Sequence, residues 1–115
     1  MLFVCYPRCS TCQKAQKWME EKGIACQVRH IKEDNPSKEE ILRWQKLSGL
    51  PMTRFFNTSG QLYRQMELKD KLPQMTEEEM AALLATDGML VKRPLLVGED
   101  FVLVGFREKE WAQRL

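Results

Sequence analysis

At 115 residues, with 43% apolar and 30% charged residues, the chain has the length and composition of one ordinary globular domain. Its net charge of +2 comes from interspersed basic and acidic residues, which excludes the basic stripe of a direct nucleic-acid binder. No apolar run is long enough for a membrane span, and Met1-Leu2-Phe3-Val4 is too short and uncharged to open a signal peptide, so the sequence reads as cytosolic.

Leu2-Phe3-Val4-Cys5 predicts a short buried strand, bounded by Tyr6-Pro7. The motif Pro7-Arg8-Cys9-Ser10-Thr11-Cys12-Gln13-Lys14 follows it. From Gln13 the spacing predicts a helix, with Ala15, Trp18 and Met19 on one face and Gly23 as its stop. The two cysteines therefore stand where a strand gives way to a helix. Free N–H groups and the helix dipole favour a thiolate at that place, which makes Cys9 the candidate nucleophile. Cys12 is one turn away, close enough to close a disulfide. Inert thiols, a structural disulfide and half of a zinc site are the competing readings. Zinc lacks a second Cys-x-x-Cys, and His30 is the single histidine, so no metal site is expected. In a reducing compartment the pair points to transient redox chemistry.

Residues 24–31 alternate with period two and predict a second strand, parallel to the first through a right-handed crossover. Cys26 and His30 on it read as structural residues. Ser37-Lys38-Glu39-Glu40 has the form of a capping box, opening a helix that carries Ile41, Leu42, Trp44 and Leu47 and stops near Gly49. Residues 50–56 predict a turn with a short helix, and Asn57-Thr58-Ser59-Gly60 a break. Leu62 to Leu72 predicts one short helical piece. Thr76-Glu77-Glu78-Glu79 is a second capping box, starting a helix that runs to Asp87-Gly88. Leu95-Leu96-Val97 and Phe101-Val102-Leu103-Val104 around Gly98-Glu99-Asp100 predict a β-hairpin. A closing helix from Arg107 to Leu115 is expected to bury Trp111 and Leu115.

The order β-α-β, helical insertion, β-β-α with Cys-x-x-Cys after the first strand matches an α/β thioredoxin-like fold with a central mixed sheet. Its core is expected at about residues 1–33 and 88–115, and its insertion at about 36–87. In such a fold Pro94 is a cis-proline candidate beside the dithiol, which brings Arg93 close to Cys9.

From Tyr6-Pro7-Arg8-Cys9-Ser10-Thr11-Cys12 to Lys92-Arg93-Pro94-Leu95-Leu96-Val97 and Val104-Gly105-Phe106, the chain resembles the arsenate reductase-like proteins that include the Spx redox regulators. In the reductase branch, the resemblance implies a Cys9 that attacks arsenate. Glutathione and glutaredoxin serve as electron donors. Arg54 and Arg93 hold the oxyanion, assisted by N–H groups of the loop through Ser10 and Thr11. Cys12 stands where that branch typically has serine, Cys5 where it has histidine, and Val104-Gly105-Phe106 where it has a third arginine. In the regulator branch, the resemblance implies a Cys9–Cys12 redox switch, with Arg93 responding to it. The helical insertion, with Gly49 as a candidate, would contact the C-terminal domain of the RNA polymerase α subunit. A general disulfide oxidoreductase, needing the dithiol but not Arg54, is a third reading.

Overall fold

The computed structural model describes residues 1–115. Period-two alternation along β1 (Leu2–Cys5) divides the hydrophobic core in two. Phe3 and Cys5 point to one side of the sheet and Val4 to the other. The Phe3 side is covered by α1 (Ser10–Glu21) and by α6 (Glu108–Arg114) through Ala15, Trp18, Met19 and Trp111. Trp111 meets Phe106, Phe3 and Trp18 edge-on and donates its Nε1–H to the Gly105 carbonyl at 3.0 Å, so its one polar atom is satisfied in the core. The Val4 side is covered by α2 (Lys38–Ser48) and α5 (Glu77–Leu84), with Ile41, Trp44, Ala81 and Leu84 almost fully buried.

The sheet has the order β2-β1-β3-β4, with β2 (Gln27–His30), β3 (Leu95–Val97) and β4 (Val102–Val104). The β1–β2 pair is parallel, and β3 runs antiparallel to both β1 and β4. This is the expected mixed sheet with thioredoxin-like connectivity and helices between β2 and β3. The peptide bond between Arg93 and Pro94 is cis.

Besides the start of α1 and the end of α5, which stops at Leu84 rather than at Asp87-Gly88, three details differ from the sequence reading. The second strand is half as long as its alternation suggests, because β2 is an edge strand whose register with β1 starts at Gln27 opposite Leu2. At that edge Val28 is 54% exposed, since the helices over the Phe3 side do not reach it. The stretch from Leu62 to Leu72 is two helices, α3 (Gln61–Gln65) and α4 (Leu68–Lys71), separated at Glu67 with φ 53°. Leu62 and Met66 share a phase, and so do Leu68 and Leu72, but the step from Met66 to Leu68 turns the wrong way for one helix. The break resets the phase and lets Leu68 and Leu72 be buried. Leu115 is 41% exposed rather than buried, because α6 ends at Arg114 and Trp111 alone anchors it.

Both capping boxes form, at Ser37/Glu40 and Thr76/Glu79. Glu40 has a second task. The Arg29 guanidinium, stacked over Trp44, forks onto its two carboxylate oxygens at 2.6 and 2.9 Å. The hydrogen bonds from Arg29, opposed by burial and aided by Ser37, hold Glu40 down at about 2. A carboxyl so depressed stabilises the fold fully above its unfolded value, about 4.3, and the contribution is lost as pH falls towards 2. Urea unfolding at successive pH values is therefore expected to show about 2 kcal/mol lost across that window. Arg29→Met should flatten this loss; the same slope in both proteins would mean the pair is not coupled to folding.

Candidate active site

The chain leaves β1 through Tyr6 and turns at Pro7-Arg8, and the Cys9 N–H donates to the Tyr6 carbonyl at 3.0 Å. Cys9 is the N-cap of α1, with extended φ/ψ of −82° and 121°. The helix thus begins at Ser10, three residues earlier than the apolar spacing from Gln13 indicates. Ser10 and Thr11 are exposed and carry no apolar signal, so periodicity could not register that first turn. The earlier start places both cysteines in one helical turn. Cys9 is half-buried at the helix mouth, and Cys12 is 2% exposed beneath it.

The two thiols are electrostatically unequal. Burial opposes ionisation of Cys9, but the Cys12 backbone N–H, the Cys12 thiol and the Arg93 guanidinium outweigh it and hold Cys9 below the ordinary thiol pKa. Burial pushes Cys12 up to about 12; a hydrogen bond from the Tyr6 N–H to its sulfur, at 3.4 Å, works the other way, and the Cys9 charge adds to the rise. Of the two thiols, Cys9 is therefore the more readily ionised, and Cys12 is the one that holds its proton.

Arg93 enters from the segment before β3. Its Cζ lies 5.4 Å from the Tyr6 ring centroid, and its Nη1 is 4.0 Å from Met89 Sδ. Its Nε is buried with no hydrogen-bond partner. Arg54 comes from a 3-10 turn, Met52–Phe55, anchored by the buried Met52 and Phe55. A two-residue β-bridge joins this turn to the segment carrying Arg93. The Lys92 N–H donates to the Phe55 carbonyl and the Asn57 N–H to the Leu90 carbonyl, each at 2.8 Å, around the pair Phe56 and Val91.

The bridge brings Arg54 and Arg93 to one cavity of about 200 Å³, lined also by Thr11, Lys92, Val104, Gly105, Phe106 and Arg107. The cavity wall holds four cations and no carboxylate. Of the residues singled out in the sequence, Thr11, Arg54 and Arg93 line it. Cys9 and Ser10 do not, and Cys9 meets it through Arg93. Lys92 and Arg107 are additional. Lys92 was legible only as the neighbour of Arg93, and Arg107 only as the start of the closing helix. Arg107 also lies 3.7 Å from the exposed Glu110 carboxylate.

Gly105 shapes this wall. Its φ of 73° is left-handed, its N–H donates to the Pro94 carbonyl at 2.8 Å, and a Cβ there would stand 3.3 Å from Lys92 Cε. Cys5 is buried at the end of β1 and its thiol is pushed up by that burial. Cys26 is half-buried and also raised by burial. His30 accepts from the Lys32 and Glu33 N–H groups through Nδ1. No three His, Cys, Asp or Glu side chains converge as metal ligands.

Known proteins share this fold. A crystal structure of an ArsC family related protein from Bacteroides fragilis superposes with a TM-score of 0.95 at 59% identity, over 97% of this chain and 94% of that one. A protein described as a possible arsenate reductase, from Streptococcus mutans, gives a TM-score of 0.88 at 43% identity, over 96% of both chains. The uncharacterized protein YusI of Bacillus subtilis is 49% identical over 113 residues, 98% of this chain and 96% of that one. More distantly, the global transcriptional regulator Spx of Staphylococcus haemolyticus is 26% identical over 105 residues, 90% of this chain and 78% of that one. The sequence profile of the ArsC family matches residues 5–114. With its dithiol at the mouth of α1 and its thioredoxin-like sheet, this chain belongs to the ArsC family.

Proposed function

We propose that the protein is a cytosolic thiol-dependent reductase of arsenate or a similar tetrahedral oxyanion. The observation that carries this reading is the cavity walled by Arg54, Lys92, Arg93 and Arg107 with no carboxylate, next to a thiol favoured as thiolate. Four cations suit a doubly charged oxyanion, and arginine forks suit its paired oxygens.

The chemistry follows from the unequal thiols. The Cys9 thiolate attacks arsenic(V) and displaces one oxygen, which leaves as water after protonation, forming a sulfur–arsenic bond. A second thiol then attacks the Cys9 sulfur. That bond's electron pair passes to arsenic, arsenite leaves, and two thiol sulfurs are oxidised to a disulfide. Cys12 is the proposed resolving thiol, with glutathione and glutaredoxin restoring the dithiol. Arg54 and Arg93 hold the oxyanion, with Thr11 beside them and Ser10 at the same helix mouth. In this reading, the helical segment at about 36–87 is an insertion that covers the site and supplies Arg54.

The direct test is arsenate-dependent NADPH consumption with glutathione, glutaredoxin and glutathione reductase. Turnover supports the reading, and its absence at high protein concentration removes it. After oxidation in the presence of glutathione and with glutaredoxin left out, Cys12→Ser is expected to hold Cys9 as a glutathione mixed disulfide, detected by mass, because the internal resolving thiol is gone. Equal products in both proteins would take that role from Cys12.

The dithiol itself and the similarity to Spx favour a second reading, a redox-switched regulator that binds the C-terminal domain of the RNA polymerase α subunit. Binding of that domain by the oxidised chain and not the reduced one, with no arsenate turnover, would select it.

A further inference from the structure

Tyr6 touches both of the groups that favour an ionised Cys9. It follows directly on β1, and its carbonyl receives the Cys9 N–H at 3.0 Å. Its own N–H donates to Cys12 Sγ at 3.4 Å. Its ring lies under the Arg93 guanidinium, 5.4 Å from Cζ to centroid. From its other surroundings the His30 ring meets it at 90°, centroids 5.6 Å apart. His30 is in turn fixed by two backbone N–H groups that donate to its Nδ1 at 3.2 Å each.

Arg93 has few other supports. Beyond Cys9 and the Tyr6 ring, its side-chain partner is the soft Met89 sulfur, and no carboxylate pairs with it. An arginine is usually steered by an acid, but an acid here would neutralise the charge that the thiolate and the anion both require. It would also repel the anion. An aromatic face holds a cation without cancelling it, because the attraction comes from the ring quadrupole. The guanidinium N–H groups, which lie in its plane, remain free to donate.

We propose that Tyr6 is the positioning residue of this site, its ring seating the Arg93 guanidinium and its backbone N–H fixing the Cys12 sulfur, so that both groups meet Cys9 in place. The inference rests on the reading of Cys9 as the reactive thiolate. It assigns the work to the ring face and the backbone, and none to the phenol hydroxyl, which makes no hydrogen bond within the chain.

The experiment is the pH profile of Cys9 alkylation by iodoacetamide in the full-length chain, followed by mass analysis of the Cys9 peptide. Wild type should react as a thiol of lowered pKa, and Tyr6→Phe should keep that profile, since the ring face remains. Tyr6→Leu should slow alkylation near pH 6.5 by about three- to tenfold and move the profile towards that of an ordinary thiol. Incorporating 3,4,5-trifluorophenylalanine at position 6 keeps the ring's shape but depletes its face of charge. It should slow the reaction in the same direction, whereas a role limited to packing would leave it at the Tyr6→Phe rate. If Tyr6→Leu does not fold, the comparison of Phe with its fluorinated form decides alone. A wild-type profile of lowered pKa that is unchanged in the fluorinated variant overturns the role of Tyr6 and leaves the reading of Cys9 intact. An ordinary thiol profile in wild type overturns both.

Discussion

Serine in place of Cys9 is expected to lower arsenate-dependent turnover by at least about a thousandfold, to the background of the coupled assay. The substitution changes one atom and leaves the cavity, its four cations and the helix mouth as they are. A hydroxyl at that position would feel the same Cys12 N–H and the same guanidinium. Its intrinsic acidity, however, is so much lower than a thiol's that no such environment makes it an alkoxide near neutral pH. A serine also cannot be the sulfur that is later oxidised, so both halves of the reaction fail together. Oxyanion binding should survive, which separates chemistry from recognition. Cys9→Ser that still protects the chain from heat in the presence of arsenate, yet does not turn over, would match this account. Residual turnover above a few per cent of wild type would mean that another thiol, such as Cys5 or Cys26, does the work.

Arg93→Lys is expected to cost about ten- to a hundredfold in kcat/KM although it conserves the charge. Arg93 is the one cation that both faces Cys9 and lines the four-cation cavity, and in the reductase reading its planar fork serves a thiolate and an anion at once. An ammonium is a single point that can approach the sulfur or the anion but not bridge them. It is also more strongly hydrated, and so sits less readily against the Tyr6 ring. Alkylation of Cys9 near neutral pH should slow in parallel, because the favoured thiolate loses one of its supports. The two readouts together make the assignment vulnerable. A variant with unchanged turnover and unchanged alkylation would remove Arg93 from the site. Slower turnover with unchanged alkylation would confine it to anion binding.

The strands, the cysteine turn and the helix starts at Ser37 and Thr76 were legible because each depends on neighbours in sequence. Alternation declares Phe3 and Val4, and a capping box declares itself within four residues. The Arg93-Pro94 pair was legible once the topology was inferred, because the fold rather than local chemistry carries it to Cys9. Arg54 had no local mark at all. Its place in the cavity depends on a bridge between Phe56 and Val91, separated by a long helical stretch. Arg107 and Lys92 stayed hidden for a related reason. An exposed cation looks the same in sequence whether it faces water or a cavity, and only the turn at Gly105 decides which. The short β2 and the break at Glu67 were missed because edge position and helix phase are properties of the packed chain.

The bridge at Phe56 and Val91 has a thermodynamic corollary. Arg54 and Arg93 reach one cavity from segments joined by two backbone hydrogen bonds, donated by the Lys92 and Asn57 N–H groups. Phe55, Phe56, Leu90 and Val91 around that clasp are buried in the larger core cluster, so the pairing of the two arginines is tied to the stability of that core. Like charges lining one cavity repel, and in the reductase reading an anion bound between Arg54 and Arg93 would offset that repulsion and stabilise the clasp. In that reading, anion binding and protection of those two amides from solvent exchange rise together. A substrate that reaches both arginines in effect completes the site that binds it.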